Sequence, residues 1–455
     1  VAQDKIHETW SSRTMFLLAT VGAAVGLGSL WRFPYITGEN GGGAFVLLYI
    51  GFIVLLGLPA AGIELALGRL GKQSPLGTMK KLVERGQNFT FWKVIGVLSL
   101  LIPFFAMTYY SVIASWTFDY FLKSVTGQLQ GIKVQEAEDL FRDFLSSPLR
   151  MLCWYTLYIA VVVFVIGRGV RAGLEKASTL MMPALFLLLL GLVAYAALYG
   201  DFGAALTFLF KPDFSKVTAT TFLLALGQAL FSMGIGVGAL MTYGAYLSDD
   251  VSLPRSAIIV GLSVTFVSLL AGLAIFPFVF SFGLNPGEGP GLIFVTLPLA
   301  FGQLHFGTVL GGAFFLLMAF AALTSSFAML EPIVSWLEER QGWSRMKLAA
   351  TAGIAAWFVG LAPLLSFNVW GSIKLLPFVA LIKDKTIFEL FDFVVANLLL
   401  PANSILIALF AGWALSRASL QTELRLTPLK MAYTTFVAKV GAPAAIFVIF
   451  LSSFS

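Results

Sequence analysis

Between Thr14 and Pro34 an apolar run is interrupted by Gly22-Ala23-Ala24-Val25-Gly26-Leu27-Gly28, then by Arg32-Phe33-Pro34. Glycine costs about 1 kcal/mol in a helix interior relative to alanine, so three of them close together predict an unwound turn. Unwound backbone at membrane depth leaves amides and carbonyls without helical partners. It is tolerated only where it is buried in protein or lines a cavity. Hard cations take oxygen ligands such as carbonyls, and amides at a half-helix N-terminus attract carboxylates. The chemistry expected here is therefore the binding of an ion and a small charged solute. A second run, Gly227-Gln228-Ala229-Leu230-Phe231-Ser232-Met233-Gly234-Ile235-Gly236-Val237-Gly238, repeats the pattern with polar groups beside its glycines.

Covalent chemistry has little material. The single Cys153 permits no intramolecular disulfide and no multi-thiolate metal site, and His7 and His305 are the only histidines. The polar groups inside the apolar runs are mostly hydroxyls and amides without an obvious base, so an enzyme is the least favoured class.

These runs sit in a chain that is 58% hydrophobic and 11% charged, with a mean hydropathy of +0.90. Soluble domains carry about 25% charged residues. About eleven segments are long enough to cross a bilayer: 14–36, 43–68, 92–122, 151–167, 174–198, 218–246, 255–282, 306–337, 346–364, 388–414 and 431–453. The fold expected is an all-α integral membrane protein. Its two glycine-broken segments, the first and the sixth, lie five helices apart. That spacing predicts a 5+5 inverted repeat, 14–198 and 218–414, with 431–453 as a peripheral eleventh helix. Residues 1–13 precede the first repeat. The most polar stretch, about 123–150, reads as an external loop, and 285–302 as a re-entrant external lid.

Basic residues set the orientation. With the N-terminus cytoplasmic, about eighteen Lys and Arg fall in inner segments against roughly ten outside. An odd helix count then places the C-terminus outside. The net charge of +6 is accounted for by this topology and calls for no nucleic acid. The start Asp4-Lys5-Ile6-His7-Glu8 leads into a full-length helix without a small-residue cleavage site, unlike a cleavable signal peptide.

Several further motifs carry a resemblance: Trp10 with Arg13, Gly26-Leu27-Gly28 to Arg32-Phe33-Pro34, Glu39-Asn40-Gly41-Gly42-Gly43-Ala44-Phe45, Glu64-Leu65-Ala66-Leu67-Gly68-Arg69, Tyr109-Tyr110 with Ser115-Trp116, and Leu323-Thr324-Ser325-Ser326. Together, and over nearly the whole chain, they resemble the neurotransmitter:sodium symporters, in particular the short bacterial amino-acid transporters. The resemblance implies a sodium site from Gly22, Val25, Ala321, Thr324 and Ser325. The last three stand at i, i+3 and i+4, one face of a helix. A second sodium site of the family would need ligands at Ser29 and Val264, alongside Ala24 and Ser232. Counting back from Ala271-Gly272 gives Val264, which supplies none and predicts coupling dominated by one sodium; a one-residue shift would place Ser263 there instead. Tyr49, Gln228, Ser232 and Ser268 match the family's chloride set, making chloride a second candidate ion.

For the substrate, the resemblance implies a carboxylate on the Leu27 and Gly28 amides with Tyr110 hydrogen-bonded to it. The rest of the site would be Ala23, Ala24, Gly26, Ala106, Phe231, Ser232, Gly234, Val237, Ser326 and Met329. Alanine at position 23, where amine carriers have an aspartate, favours an α-amino acid, and the apolar lining favours a hydrophobic or aromatic one. Arg32 and Asp392, with Tyr110 and Phe231 as an aromatic lid, would form the external gate. His7, Trp10, Tyr246 and Glu339 would form the internal one, with His7 as a pH-sensitive element. The function implied is sodium-coupled import of an amino acid across the plasma membrane by alternating access. The alternatives are a sodium-independent carrier of the same fold, a channel, or an amino-acid receptor that does not transport.

Overall fold

The computed structural model describes residues 8–283, 291–379 and 382–452, and among them all regular structure is helical. Among the described residues nine helices are long and apolar enough to span a membrane, and a bent pair makes a tenth. In chain order we label them α1 (Arg13–Ala24 with Gly28–Glu39), α2 (Gly43–Gly71), α3 (Thr90–Val125), α4 (Pro148–Gly167) and α5 (Val170–Tyr199). After α6 follow α7 (Leu253–Ser281), α8 (Gly307–Glu338), α9 (Arg345–Leu365), α10 (Ile387–Ala414) and α11 (Pro428–Ser452). Here α6 is Ala219–Ser232 continued by Ala239–Ala245. Neither half is long enough to span alone, because six residues between them are not helical.

Both glycine-rich runs are breaks. The halves of α1 meet at 51°, and α6 unwinds through Gly234, Gly236 and Gly238, whose φ values are +65°, +83° and +89°. Side chains other than glycine adopt that region at a cost, so the break is written into the residue types. Small residues also let the second half of α6 lie against α2. A Cβ on Gly68 would stand 1.9 Å from the Met241 carbonyl oxygen, and one on Gly244 2.4 Å from that of Leu65. Close backbone approach through glycine is the usual means of packing helices where lipid gives no hydrophobic drive.

Burial separates a centre from a rim. The apolar window of α8 is 78% buried and that of α11 28%, so α8 is central and α11 peripheral. The stretch 123–150 departs from the expected external loop. Val134–Leu145 is a helix that buries Ala137 and Phe144. Lys123 is buried as well, paired with Asp119 at 2.9 Å. Asp119 also accepts from Arg150 at 2.7 Å and from the Trp154 indole at 2.8 Å. A charge count cannot foresee this, because the carboxylate that neutralises Lys123 lies one helical turn earlier, inside an apolar run. Of the expected lid, 292–303 is a short helix whose Phe294 packs on Trp116, Tyr120 and Phe141; 284–290 lie outside the described residues.

Candidate functional site

At the α1 break the hydrogen bonds shift register. The Gly26 amide donates to the Ala24 carbonyl at 3.1 Å, and the Ser29 amide to the Gly26 carbonyl at 3.1 Å. In a helix these amides would serve Gly22 and Val25, whose carbonyls are thereby released. Released carbonyls at this depth require another partner. The Leu27 amide, freed in the same way, donates to the Tyr110 hydroxyl at 3.4 Å.

α8 faces this break with its hydroxyls. Thr324 Oγ1 turns to the carbonyls of Phe320 and Ala321, at 3.0 and 3.1 Å. Ser325 Oγ donates across to the Ala23 carbonyl at 3.1 Å. The helices touch: a Cβ on Gly22 would lie 3.1 Å from Thr324 Cβ, and one on Gly26 2.4 Å from Ser325 Oγ. The α1 break and this face of α8 thus meet in one oxygen-rich contact, Gly22 against Thr324, and Gly26 and the Ala23 carbonyl against Ser325.

Beside it lies a cavity with about 660 Å³ of atom-free space, open in part to solvent. Its α1 wall is Ala23, Ala24, Gly26, Leu27 and Gly28; its α6 wall is Phe231, Ser232, Gly234 and Val237. Tyr110, Ser325 and Met329 complete it, together with Thr20 and Ala328. Two residues expected here are elsewhere. Ser326 is fully buried with its hydroxyl 2.8 Å from that of Tyr158, because one residue on from Ser325 turns a helical side chain by about 100°. Ala106 packs in a separate apolar cluster with Ile102 and Val395, which Met329 flanks.

Tyr49, Gln228, Ser232 and Ser268 do come together. Gln228 Nε2 donates to Ser232 Oγ at 3.0 Å and to the Gly28 carbonyl at 2.9 Å, and Tyr49 stands 3.4 Å from Ser268. Val264 is fully buried, and the buried Ser29 hydroxyl has no hydrogen-bond partner among the described residues.

The two ends of the site differ. Toward the face opposite the N-terminus, Arg32 donates to Gln228 Oε1 at 3.0 Å and lies 4.9 Å from the Phe231 ring centre. It makes no ion pair with Asp392 among the described residues. Asp392 is exposed and hydrogen-bonded to Tyr109, and Phe231 is 36% exposed. The expected Arg32–Asp392 contact is therefore open here, since Gln228 offers Arg32 a nearer acceptor.

Toward the N-terminal face the site is sealed. Trp10 is buried against Tyr243 and Tyr246, its indole donating to the Tyr243 carbonyl at 3.0 Å and its amide to that of Tyr246 at 3.2 Å. Tyr246 donates to Glu331 at 2.6 Å, and Glu331 pairs with Arg345. Ser11 donates through its amide and hydroxyl to Glu175, both at 2.6 Å, and Glu8 accepts from the Val170 and Arg171 amides. Glu339 accepts from the Ser74 amide and hydroxyl, both at 2.5 Å, tying α8 to the helix Pro75–Arg85; His7 lies outside the described residues. Sequence reasoning missed Glu331, Arg345, Glu8 and Glu175. The available signal was an acid, Glu331, seven residues after Thr324 within an apolar span, since ionisable groups there are rare and usually paired.

The model of the Sodium:neurotransmitter symporter family matches residues 7–140 and 134–455. An uncharacterized sodium-dependent transporter of Bacillus subtilis, YhdH, is 37% identical over 97% of both chains. One from Haemophilus influenzae is 32% identical over 99% of both. Among solved structures, MhsT in complex with L-phenylalanine superposes with a TM-score of 0.88 at 37% identity, covering 98% of this chain and all of that one.

Proposed function

The chain belongs to the sodium:neurotransmitter symporter family, and from that premise we propose that it imports a hydrophobic or aromatic amino acid with sodium by alternating access. The observation that carries this reading is the cavity between the two broken helices, with the Leu27 amide and the Tyr110 phenol at one end and an apolar wall at the other. A substrate carboxylate fits against the Leu27 and Gly28 amides and Tyr110. Phe231, Gly234, Val237 and Met329 suit an apolar side chain, and no fixed charge in the lining favours an acidic or basic one. MhsT, similar over its whole length, was solved with L-phenylalanine.

Sodium is assigned to Gly22, Val25, Ala321, Thr324 and Ser325. The carbonyls released at the α1 break and the α8 hydroxyls are the oxygen donors a hard cation takes. With Val264 offering no ligand and Ser29 a single hydroxyl, one sodium carries the coupling. The excess of basic residues on the N-terminal side orients that face to the cytoplasm and the C-terminus outward, across the plasma membrane. The sealed N-terminal face and the open Arg32–Asp392 end then correspond to an outward-open state. The two repeats, 14–198 and 218–414, would rock about the site, with Trp10 and its partners as the inner gate.

The test is uptake of labelled leucine, tryptophan and phenylalanine into proteoliposomes under an inward sodium gradient, against potassium in its place. Sodium-dependent accumulation is expected. Saturable binding without accumulation would make the protein a receptor, and a competition panel won by glycine or glutamate would remove the apolar-substrate assignment.

A further inference from the structure

Asn403 is fully buried in α10, in a stretch where only Ser404 beside it is polar, and it does not line the cavity. Its Nδ2 donates to the Gly236 carbonyl at 2.8 Å and to Ser99 Oγ of α3 at 3.0 Å. A carbonyl can only accept, so the orientation of this amide is set. Ser404 adds a longer bond to the Ile235 carbonyl, 3.3 Å. From the other side, Glu64 of α2 accepts the Gly236 and Gly238 amides at 3.1 and 3.2 Å.

The middle of the unwound stretch between the halves of α6 is therefore held by side chains, its Gly236 and Gly238 amides by Glu64 and its Ile235 and Gly236 carbonyls by α10. The fit has no slack on the α10 and α3 side. A Cβ on Gly236 would lie 2.1 Å from Ser404 Oγ, and one on Gly238 2.6 Å from Ser99 Cβ. The same stretch presents Gly234 and Val237 to the cavity, on either side of the residue that Asn403 grips.

We infer that Asn403 is a positioning residue that fixes how far Gly234 and Val237 stand from the substrate, and so selects amino acids by the size of their apolar side chain. This rests on the amino-acid reading above. Replacing the carboxamide by an isobutyl group leaves the Gly236 carbonyl buried without a donor. That stretch of backbone then moves to find one, and it moves at the cavity wall and away from the sodium ligands on α1 and α8.

The experiment is equilibrium binding of labelled L-phenylalanine and L-alanine to purified wild type, Asn403→Leu and Ser99→Ala, with sodium half-saturation in parallel. Asn403→Leu is expected to change the ratio of the two dissociation constants about tenfold, the equivalent of about 1.4 kcal/mol, with sodium half-saturation within about twofold. Ser99→Ala, which removes only the group that steadies Asn403, should shift the ratio in the same direction by about threefold. A ratio unmoved in both variants, or both amino acids and sodium weakened alike, overturns the inference. If Asn403→Leu does not fold, judged by its elution and melting, Ser99→Ala decides alone. A wild type that binds but does not accumulate sinks the transport reading and leaves this ratio test standing.

Discussion

The two broken helices solve the same problem in opposite ways. At the α1 break the carbonyls of Gly22 and Val25 lose their helical donors and nothing on the described chain replaces them. At the α6 break the exposed groups are taken up by side chains, the Gly236 and Gly238 amides by Glu64 and the Ile235 and Gly236 carbonyls by Ser404 and Asn403. Two carbonyls are left open at one break, and four backbone groups are held by side chains at the other. An unsatisfied set of oxygens is a place for cargo, whereas a completed one is a fixed wall. On this argument the ion belongs to α1 and the shape of the substrate pocket to α6.

The largest effect should come from undoing the wall. Glu64→Ala strands two buried amides at about 1–3 kcal/mol each, so the variant should lose several kcal/mol. We expect a melting temperature in detergent lowered by many degrees, or no folded protein. A Glu64→Ala variant that melts with wild type would mean that the α6 break does not depend on its clamp. Thr324→Val should behave in the contrary manner. Its hydroxyl bonds only to carbonyls of its own helix, and such bonds add little to a helix. Melting should change by less than about 1 kcal/mol, while sodium half-saturation rises tenfold or more, about 1.4 kcal/mol. If stability falls and sodium dependence does not, the division between the breaks is wrong.

How much of this was legible in the sequence follows from the same contrast. Both breaks could be read, because glycine clusters in apolar runs have a local cause, and the nine long apolar helices among the described residues could be read from length alone. What completes the α6 break could not. Glu64, Ser99 and Asn403 lie on three other helices, and no spacing along the chain brings them to Gly236. Ser326 illustrates the finer limit, since it sits next to Ser325 in sequence and faces Tyr158 in space. The seal on the N-terminal face was legible at Trp10, Tyr246 and Glu339. Its other members are charged residues whose partners are set by how α5, α8 and α9 pack.

A smaller effect is expected at the shared end of the pocket. Tyr110→Phe removes one hydrogen bond to the Leu27 amide and, in the proposed complex, one to the substrate carboxylate. The amino-acid KM should rise about tenfold, the scale of a hydrogen bond to a charged group at about 1.5 kcal/mol, and sodium half-saturation should rise less. Equal losses for both would place Tyr110 in the ion site instead.

The smallest effect should be that of chloride. Tyr49, Gln228, Ser232 and Ser268 meet as a chloride site would require, yet the Gln228 donors are already engaged. Gln228 has two amide hydrogens, and both are used, one on the Gly28 carbonyl and one on Ser232. Its oxygen accepts from Arg32, so turning the amide around would face that oxygen toward the Gly28 carbonyl, which can only accept, and lose the bond from Arg32. An anion entering here must displace at least one of these bonds, and what it gains is offset by what the clamp between α1 and α6 loses. Replacing chloride by gluconate should therefore change sodium-driven uptake by less than about twofold, under about 0.5 kcal/mol. A fall of fivefold or more would mean that the quartet opens in the working cycle. The α6 side would then hold cargo as well as shape, and the distinction between the two breaks would apply only to the outward-open state.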